Sequence, residues 1–241
     1  MKLVTGWCSD RLQQGVEVVR WGHYGAPVLL FPTAGGDAQE VERFHLIGAL
    51  RPLIESGQIK VYCCDSVAGR TWLEDHSVEH CAWIQNQFDA FIYHELVPSI
   101  FGDCGGPLPI ITTGASMGAY NAVTSLCRHP DVFRVAIGMS GAYDLERSMH
   151  GRFTMDFFFS SPMHFLPLLP EDSSQLALLR ERFVILAYGE GRWEHPDQSW
   201  RLADVLGSRG IPNRVDVWGQ EFDHDWPTWR AMLPGYIHQV L

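Results

Sequence analysis

The sequence predicts one α/β domain with a mostly parallel central sheet and helices on both of its faces. Short apolar runs bounded by turn residues alternate with longer amphipathic stretches, which is the pattern of parallel strands joined by crossover helices. No repeat, low-complexity tract or flexible linker divides the chain, and its 241 residues fit a single core. We therefore expect residues 1–241 to form one domain.

The predicted strands are short apolar runs that end near Gly, Pro or Ser. Residues 15–20 alternate between apolar and polar side chains and predict an edge strand. Residues 27–32 and 59–64 are apolar almost throughout, as strands buried on both faces are. Further strands are predicted at residues 109–113, 132–139, 183–188 and 214–218.

Helices are predicted where apolar residues recur at steps of three and four. The longest such stretch covers residues 76–101 and indicates one amphipathic helix against the sheet. Another begins at Ser116 and must stop before Pro130, because proline cannot continue a helix. Two more are predicted at residues 197–208 and 226–241.

Residues 145–174 break the alternation of strands and helices. They contain a run of phenylalanines and three prolines without a helix or strand period. Long irregular segments between regular elements are commonly functional loops. We interpret this segment as an irregular, lid-like insertion.

The composition is that of a globular protein and argues against several classes of partner. The hydrophobic share is 46%, the charged share 19% and the formal net charge −10. Phosphate backbones and anionic lipids attract clusters of Lys and Arg, which this sequence does not contain. We therefore expect no nucleic-acid or membrane partner. The amino terminus lacks a signal-peptide core and no apolar run reaches about 20 residues, so a cytoplasmic location is expected. The six cysteines lack metal-site spacing and are predicted to be free thiols.

A candidate nucleophile lies in the pattern G-x-S-x-G formed by Gly114, Ser116 and Gly118. The pattern follows a predicted strand and precedes a predicted helix, which is the context of a nucleophile elbow. Such a turn strains the serine backbone, and the glycines leave room for the adjoining strand and helix. A plain Gly-rich turn could carry the same letters, so the context makes Ser116 the predicted nucleophile.

A candidate base follows the last predicted strand. Serine attacks only after a base takes its proton, and in this arrangement the base is a histidine on that loop. His224 lies there, whereas most other histidines lie on predicted helices or in turns. A purely structural histidine is the alternative for His224, and His195 is the competing base.

The third member of such a triad is a carboxylate on the loop after residues 183–188. That loop carries Glu190, Glu194 and Asp197. Glu190 is close to the strand end and Asp197 can cap the following helix, so Glu194 is the predicted acid. Asp144, which follows the preceding strand, remains a competitor.

Backbone N–H groups should hold the oxyanion that forms when Ser116 attacks a carbonyl. One donor is predicted at Met117, the residue after the nucleophile. The second is predicted at Ala34 or Gly35, on the Gly-rich loop after residues 27–32. A simple turn would have the same composition there.

Two other motifs in the sequence could indicate a different function. His76 and His80 fit the zinc pattern H-x-x-E-H, but the pattern begins a predicted helix and leaves the Ser, acid and His set unexplained. We therefore predict neither a metal nor a cofactor. Tryptophans in the last third of the chain could form a sugar or aromatic platform, although burial in a core is the commoner role.

With these residues the chain resembles the esterase D-like group of α/β-hydrolases, also called putative esterases, which includes mycolyltransferases and enterochelin esterases. The shared features are the G-x-S-M-G elbow, the loop 33–37, the acid loop 189–194 and the ending His224, Asp225, Trp226. The resemblance runs from about Val16 and implies an α/β-hydrolase fold with a triad of Ser116, Glu194 and His224, without metal or cofactor. Ala119 stands where relatives often carry another Gly, so no relative's substrate is transferred.

The predicted function is that of a serine carboxylesterase, which cleaves a small-molecule ester through an acyl-enzyme on Ser116. An acyltransferase or thioesterase using the same triad is the alternative, and a catalytically inactive binding module is another. Residues 145–174 are expected to cover the site as an apolar acyl wall, with Phe158 affecting acyl-length preference. The sequence leaves open the acyl length, the natural substrate and whether the chain forms a homodimer.

Overall fold

The computed structural model describes residues 1–241 and is built on one eight-stranded sheet. The strands are β1 (Lys2–Ser9), β2 (Gln14–Trp21), β3 (Ala26–Phe31), β4 (Ile59–Cys64), β5 (Ile110–Ala115), β6 (Phe133–Met139), β7 (Phe183–Tyr188) and β8 (Asn213–Val217). Their spatial order is β1-β2-β4-β3-β5-β6-β7-β8. β1 and β2 pair antiparallel, as do β2 and β4, and all later pairings are parallel. The loops after β3, β5, β6, β7 and β8 therefore lie along one edge of the sheet.

Helices cover both faces of this sheet. They are α1 (Glu40–Arg43), α2 (Leu46–Glu55), α3 (Val67–Thr71), α4 (Val78–Phe91), α5 (Val97–Cys104), α6 (Met117–Arg128), α7 (Met155–Ser160), α8 (Pro162–Phe165), α9 (Ser174–Leu179), α10 (Pro196–Ser208) and α11 (Trp226–Val240). Val28 and Leu30 of β3 belong to the core under α2 and α11. Leu29 and Phe31, which alternate with them, belong to the core under α4, α6 and α10. No helix is both long and apolar enough to cross a membrane.

The predicted α/β class with a mostly parallel sheet is confirmed, but the position expected for one strand within the sheet is wrong. Residues 15–20 lie in β2, which is paired on both sides, so the prediction of an edge strand there is wrong. The edge on this side of the sheet is β1, whose residues are mostly exposed on both faces. A strand without a buried face lacks the alternation that sequence patterns detect.

The helix predicted at residues 76–101 is a composite. Ser77 caps α4 by accepting a hydrogen bond from the His80 N–H at 3.2 Å, so the helix begins at Val78. A π-helical turn at Ile92–Leu96 joins α4 to α5. Pro98, at the start of α5, has no N–H to give, which interrupts the hydrogen-bond ladder at this junction.

Residues 145–174 form short helical pieces rather than a featureless loop. Phe157 of α7 is fully buried against Met117 and Tyr120 at the start of α6. Phe158 instead lines a cavity of about 360 Å³ with Arg128 at the far end of α6, so it lacks the place beside the elbow that we expected. Consecutive helical residues point about 100° apart, so only one of this phenylalanine run can face the elbow. The lid role of the segment stays a prediction.

Candidate active site

Ser116 occupies a sharp turn between β5, which ends at Ala115, and α6, which begins at Met117. Its backbone angles are φ 56° and ψ −121°. A non-glycine residue in such a conformation costs about 1–3 kcal/mol and persists only where its surroundings impose it. Here the Ser116 N–H donates to Met139 O at 3.0 Å, and the Ser116 carbonyl accepts from the Ala142 N–H at 3.3 Å. Ser116 is only half-buried, and its Oγ makes no hydrogen bond within the protein.

The two glycines of the motif are required by close backbone contacts. A Cβ on Gly114 would lie 2.4 Å from the carbonyl carbon of Gly118. A Cβ on Gly118 would lie 2.5 Å from Phe31 O. The elbow therefore brings β5, the start of α6 and the end of β3 into direct contact. This is the physical reason for the spacing G-x-S-x-G.

Free backbone donors flank the elbow on two sides. Met117 opens α6, so its N–H has no partner within the helix. The N–H groups of Ala34 and Gly35 donate to no acceptor in the protein, whereas Gly36 N–H closes a turn on Thr33 O at 3.1 Å. β3 and β5 are neighbours in the sheet, so this turn and the start of α6 lie on adjoining loops. These groups can serve as oxyanion donors.

A buried carboxylate that the sequence analysis missed holds the Thr33–Gly36 turn. Glu40 accepts hydrogen bonds from the Thr33 N–H and from Thr33 Oγ1, both at 2.8 Å. A Cβ on Gly36 would lie 2.2 Å from Glu40 Oε2, so the carboxylate packs directly under the turn. Glu40 thereby fixes the loop that carries Ala34 and Gly35.

Glu194 and His224 face one another across the site. The Glu194 side chain is 2% exposed and that of His224 is 24% exposed, and Glu194 Oε2 lies 3.8 Å from His224 Nδ1. Both atoms are buried and have no hydrogen-bond partner. The separation exceeds a hydrogen bond by somewhat under 1 Å, and such contacts often tighten only when substrate binds. The other oxygen, Glu194 Oε1, accepts a hydrogen bond from Ser140 Oγ at 2.6 Å.

The loops that carry this acid and base are joined by backbone hydrogen bonds. Gly191 N–H donates to Phe222 O, and His224 N–H donates to Arg192 O, both at 3.0 Å. A Cβ on Gly189 would lie 1.9 Å from Phe222 O, so only glycine permits this approach. The acid loop after β7 and the histidine loop after β8 therefore form one unit.

The competing carboxylates and the competing histidine are engaged or exposed elsewhere. Asp144 pairs with Arg201 of α10 at 2.6 Å. Glu190, Asp197 and His195 are exposed to solvent.

A carboxylate next to His224 is also committed elsewhere. Asp223 accepts hydrogen bonds from the Arg192 side chain and from its backbone N–H. Hydrogen bonds from Arg192 hold the pKa of Asp223 below its usual value. Asp223 therefore ties the two loops together instead of facing the His224 ring.

The two histidine rings of the H-x-x-E-H pattern lie close together, with centroids 4.9 Å apart, but the glutamate of the pattern is engaged elsewhere. His76 lies before α4, with its Nε2 3.0 Å from Glu74 Oε2. Glu79 pairs with Arg152 at 2.6 Å. No group of three or more His, Cys, Asp or Glu side chains is placed so that it could hold a metal ion.

Comparisons with known proteins agree with this architecture. A ferulic acid esterase shares 18% sequence identity over 100% of this chain and 99% of its own, with a TM-score of 0.77. An S-formylglutathione hydrolase from Agrobacterium tumefaciens shares 14% identity over 99% of this chain and 94% of its own, with a TM-score of 0.73. MPT51 from Mycobacterium tuberculosis shares 16% identity over 98% and 97%, with a TM-score of 0.67. At these identities the likeness shows the fold, that of the α/β-hydrolases.

The family is assigned from the amino-acid sequence. The sequence matches no curated protein at a significant level. A family model described as "Putative esterase" matches residues 76–239, which is well over half of the chain and includes Ser116, Glu194 and His224. The chain therefore belongs to the Putative esterase family of α/β-hydrolases.

Proposed function

We propose that the protein is a serine carboxylesterase that hydrolyses small-molecule esters through an acyl-enzyme on Ser116. The observation that carries the proposal is the pair of buried, unpartnered atoms, Glu194 Oε2 and His224 Nδ1, at the same sheet edge as the Ser116 elbow. Membership of an esterase family supports chemistry at an ester carbonyl. The fold likeness to a ferulic acid esterase is consistent with it.

The chemistry consists of two acyl transfers. His224 takes the proton from Ser116 Oγ, which attacks the ester carbonyl, and the N–H groups of Met117 and of Ala34 or Gly35 hold the oxyanion. The carbon–oxygen bond to the alcohol then breaks, and His224 gives its proton to the departing oxygen. Water, deprotonated by His224, attacks the acyl-enzyme and releases the acid. Glu194 accepts a hydrogen bond from His224 Nδ1–H, which leaves Nε2 free to exchange protons with Ser116.

A thioesterase or acyltransferase on the same residues is the second candidate. It is favoured by the fold likeness to an S-formylglutathione hydrolase, whose named substrate is a thioester. The triad and the oxyanion donors would act in the same way on a thioester carbonyl.

A cytoplasmic location and a homodimer stay predictions.

A panel of p-nitrophenyl esters and thioesters of graded acyl length tests the proposal. With p-nitrophenyl acetate in excess, we expect steady turnover preceded by a burst of about one p-nitrophenol per chain if the acyl-enzyme accumulates. Faster turnover of thioesters than of matched esters would favour the thioesterase. Transfer of the acyl group to added alcohols in preference to water would indicate an acyltransferase. A folded protein that turns over no ester or thioester would contradict the proposal.

Glu194→Gln is expected to lower kcat by about 10⁴ while KM changes little, since the amide cannot hold His224 in the required tautomer. Asp144→Asn and Asp197→Asn are the matched controls, because each makes the same change on a carboxylate that lies away from His224. Both controls should retain activity within a few-fold of the parent. Loss of activity in either control, with Glu194→Gln active, would move the acid to that residue.

A further inference from the structure

Ser140, the first residue after β6, bridges the acid and α11. Its Oγ lies 3.0 Å from Trp229 Nε1 and 2.6 Å from Glu194 Oε1. An indole N–H can only donate, so Ser140 Oγ accepts from Trp229. Its own proton is then available to donate to Glu194. Because the indole can only donate, it fixes the direction of both hydrogen bonds.

Burial makes this chain of hydrogen bonds energetically important. Ser140 is 4% exposed and Trp229 is 3% exposed. The Ser140–Glu194 distance is that of a hydrogen bond from a hydroxyl to a charged carboxylate, which is about twice as strong as a neutral one. If the Ser140 hydroxyl is removed, water cannot easily replace its hydrogen bond, because the Glu194 carboxylate is buried.

The backbone conformation at Ser140 does not favour serine. Its φ is 48°, in the left-handed region that favours glycine, and its N–H donates to Ala187 O at 2.7 Å. A serine kept in a strained conformation points to a need for its hydroxyl. Trp229 is likewise used twice, since its ring also meets the His224 ring edge to face, with centroids 5.3 Å apart.

We propose that Ser140, oriented by Trp229, is a positioning residue that fixes the Glu194 carboxylate with Oε2 directed to His224. Once Oε1 is bound to Ser140, the carboxylate cannot rotate freely, and Oε2 is the one oxygen left for Nδ1. Ser140 acts on the reaction through Glu194 and touches no reacting atom. The inference rests on the proposed triad of Ser116, Glu194 and His224.

Two substitutions of Ser140 in the full chain test this role. Ser140→Ala and Ser140→Gly both remove the hydroxyl, and glycine also suits the left-handed backbone. Each should lower kcat for p-nitrophenyl acetate by about tenfold to a hundredfold, the range for losing a hydrogen bond to a charged group, with KM within about twofold. Trp229→Phe keeps a ring against His224 but removes the N–H, and it should lower kcat less. Ser125→Ala, at a buried serine in α6, is the matched control and should keep the parent kcat.

A double-mutant cycle separates positioning from a merely structural role. In the Glu194→Gln background, Ser140→Ala should cause no further loss of kcat beyond about twofold, because its effect passes through the carboxylate. Losses that multiply would overturn the inference, as would parent-like kcat in both Ser140 variants. The proposed function fails on a different result, namely ester hydrolysis that persists in Ser116→Ala.

Discussion

Ser116→Ala is expected to abolish ester hydrolysis, with kcat reduced by about 10⁶. The substitution removes the nucleophile, and what remains is whatever the oxyanion donors and substrate binding contribute. Stability should hardly change, because Ser116 Oγ makes no hydrogen bond in the protein and alanine adds no bulk to the turn. Steady-state kinetics with p-nitrophenyl acetate and thermal unfolding followed by circular dichroism measure both effects.

The stability measurement is the control for this variant. An unfolding temperature close to that of the parent shows that lost activity comes from chemistry and not from misfolding. A folded Ser116→Ala protein with activity within tenfold of the parent would contradict this assignment, because Ser116 is the serine at the turn between β5 and α6.

His224→Ala is expected to be as damaging, again by about 10⁶ in kcat, because nucleophile and base act as a unit. The double variant Ser116→Ala, His224→Ala should therefore be no worse than Ser116→Ala alone. His195→Ala is the matched control, since His195 is exposed and precedes α10. It should keep nearly full activity.

The reverse pattern would reassign the base. If His195→Ala silenced the protein and His224→Ala remained active, the contact between His224 and Glu194 would have no catalytic meaning. Activity of the two variants on the same ester, corrected for the folded fraction, distinguishes these outcomes.

The buried parallel strands could be predicted because strands buried on both faces are apolar almost throughout. β4 and β7 were predicted with the bounds that the structure has, since both are apolar runs ended by turn residues. The extent of α2 was not predicted, because Gly48 and Pro52 disfavour a helix locally. Its residues Leu46 and Leu50 are buried under the sheet, and this tertiary contact outweighs the propensity.

In the candidate site, too, the residues with a local sequence signal could be predicted and those without one could not. Ser116 was found because the elbow imposes a local spacing, and His224 because the fold places its base after the last strand. Ser140 and Trp229 left no local signal, because they act across 54 and 89 residues of sequence. Glu40 was missed for a related reason, since its partner Thr33 is reached only after the chain reverses into α1.

Covalent labelling with a fluorophosphonate probe, followed by peptide mapping by mass spectrometry, tests directly whether Ser116 is the activated nucleophile. Only a serine activated by a base reacts rapidly with such a probe. We expect one adduct per chain, on the peptide that contains Ser116, absent in Ser116→Ala and greatly slowed in His224→Ala. An adduct on another residue, or a folded protein that hydrolyses esters without labelling at Ser116, would contradict it.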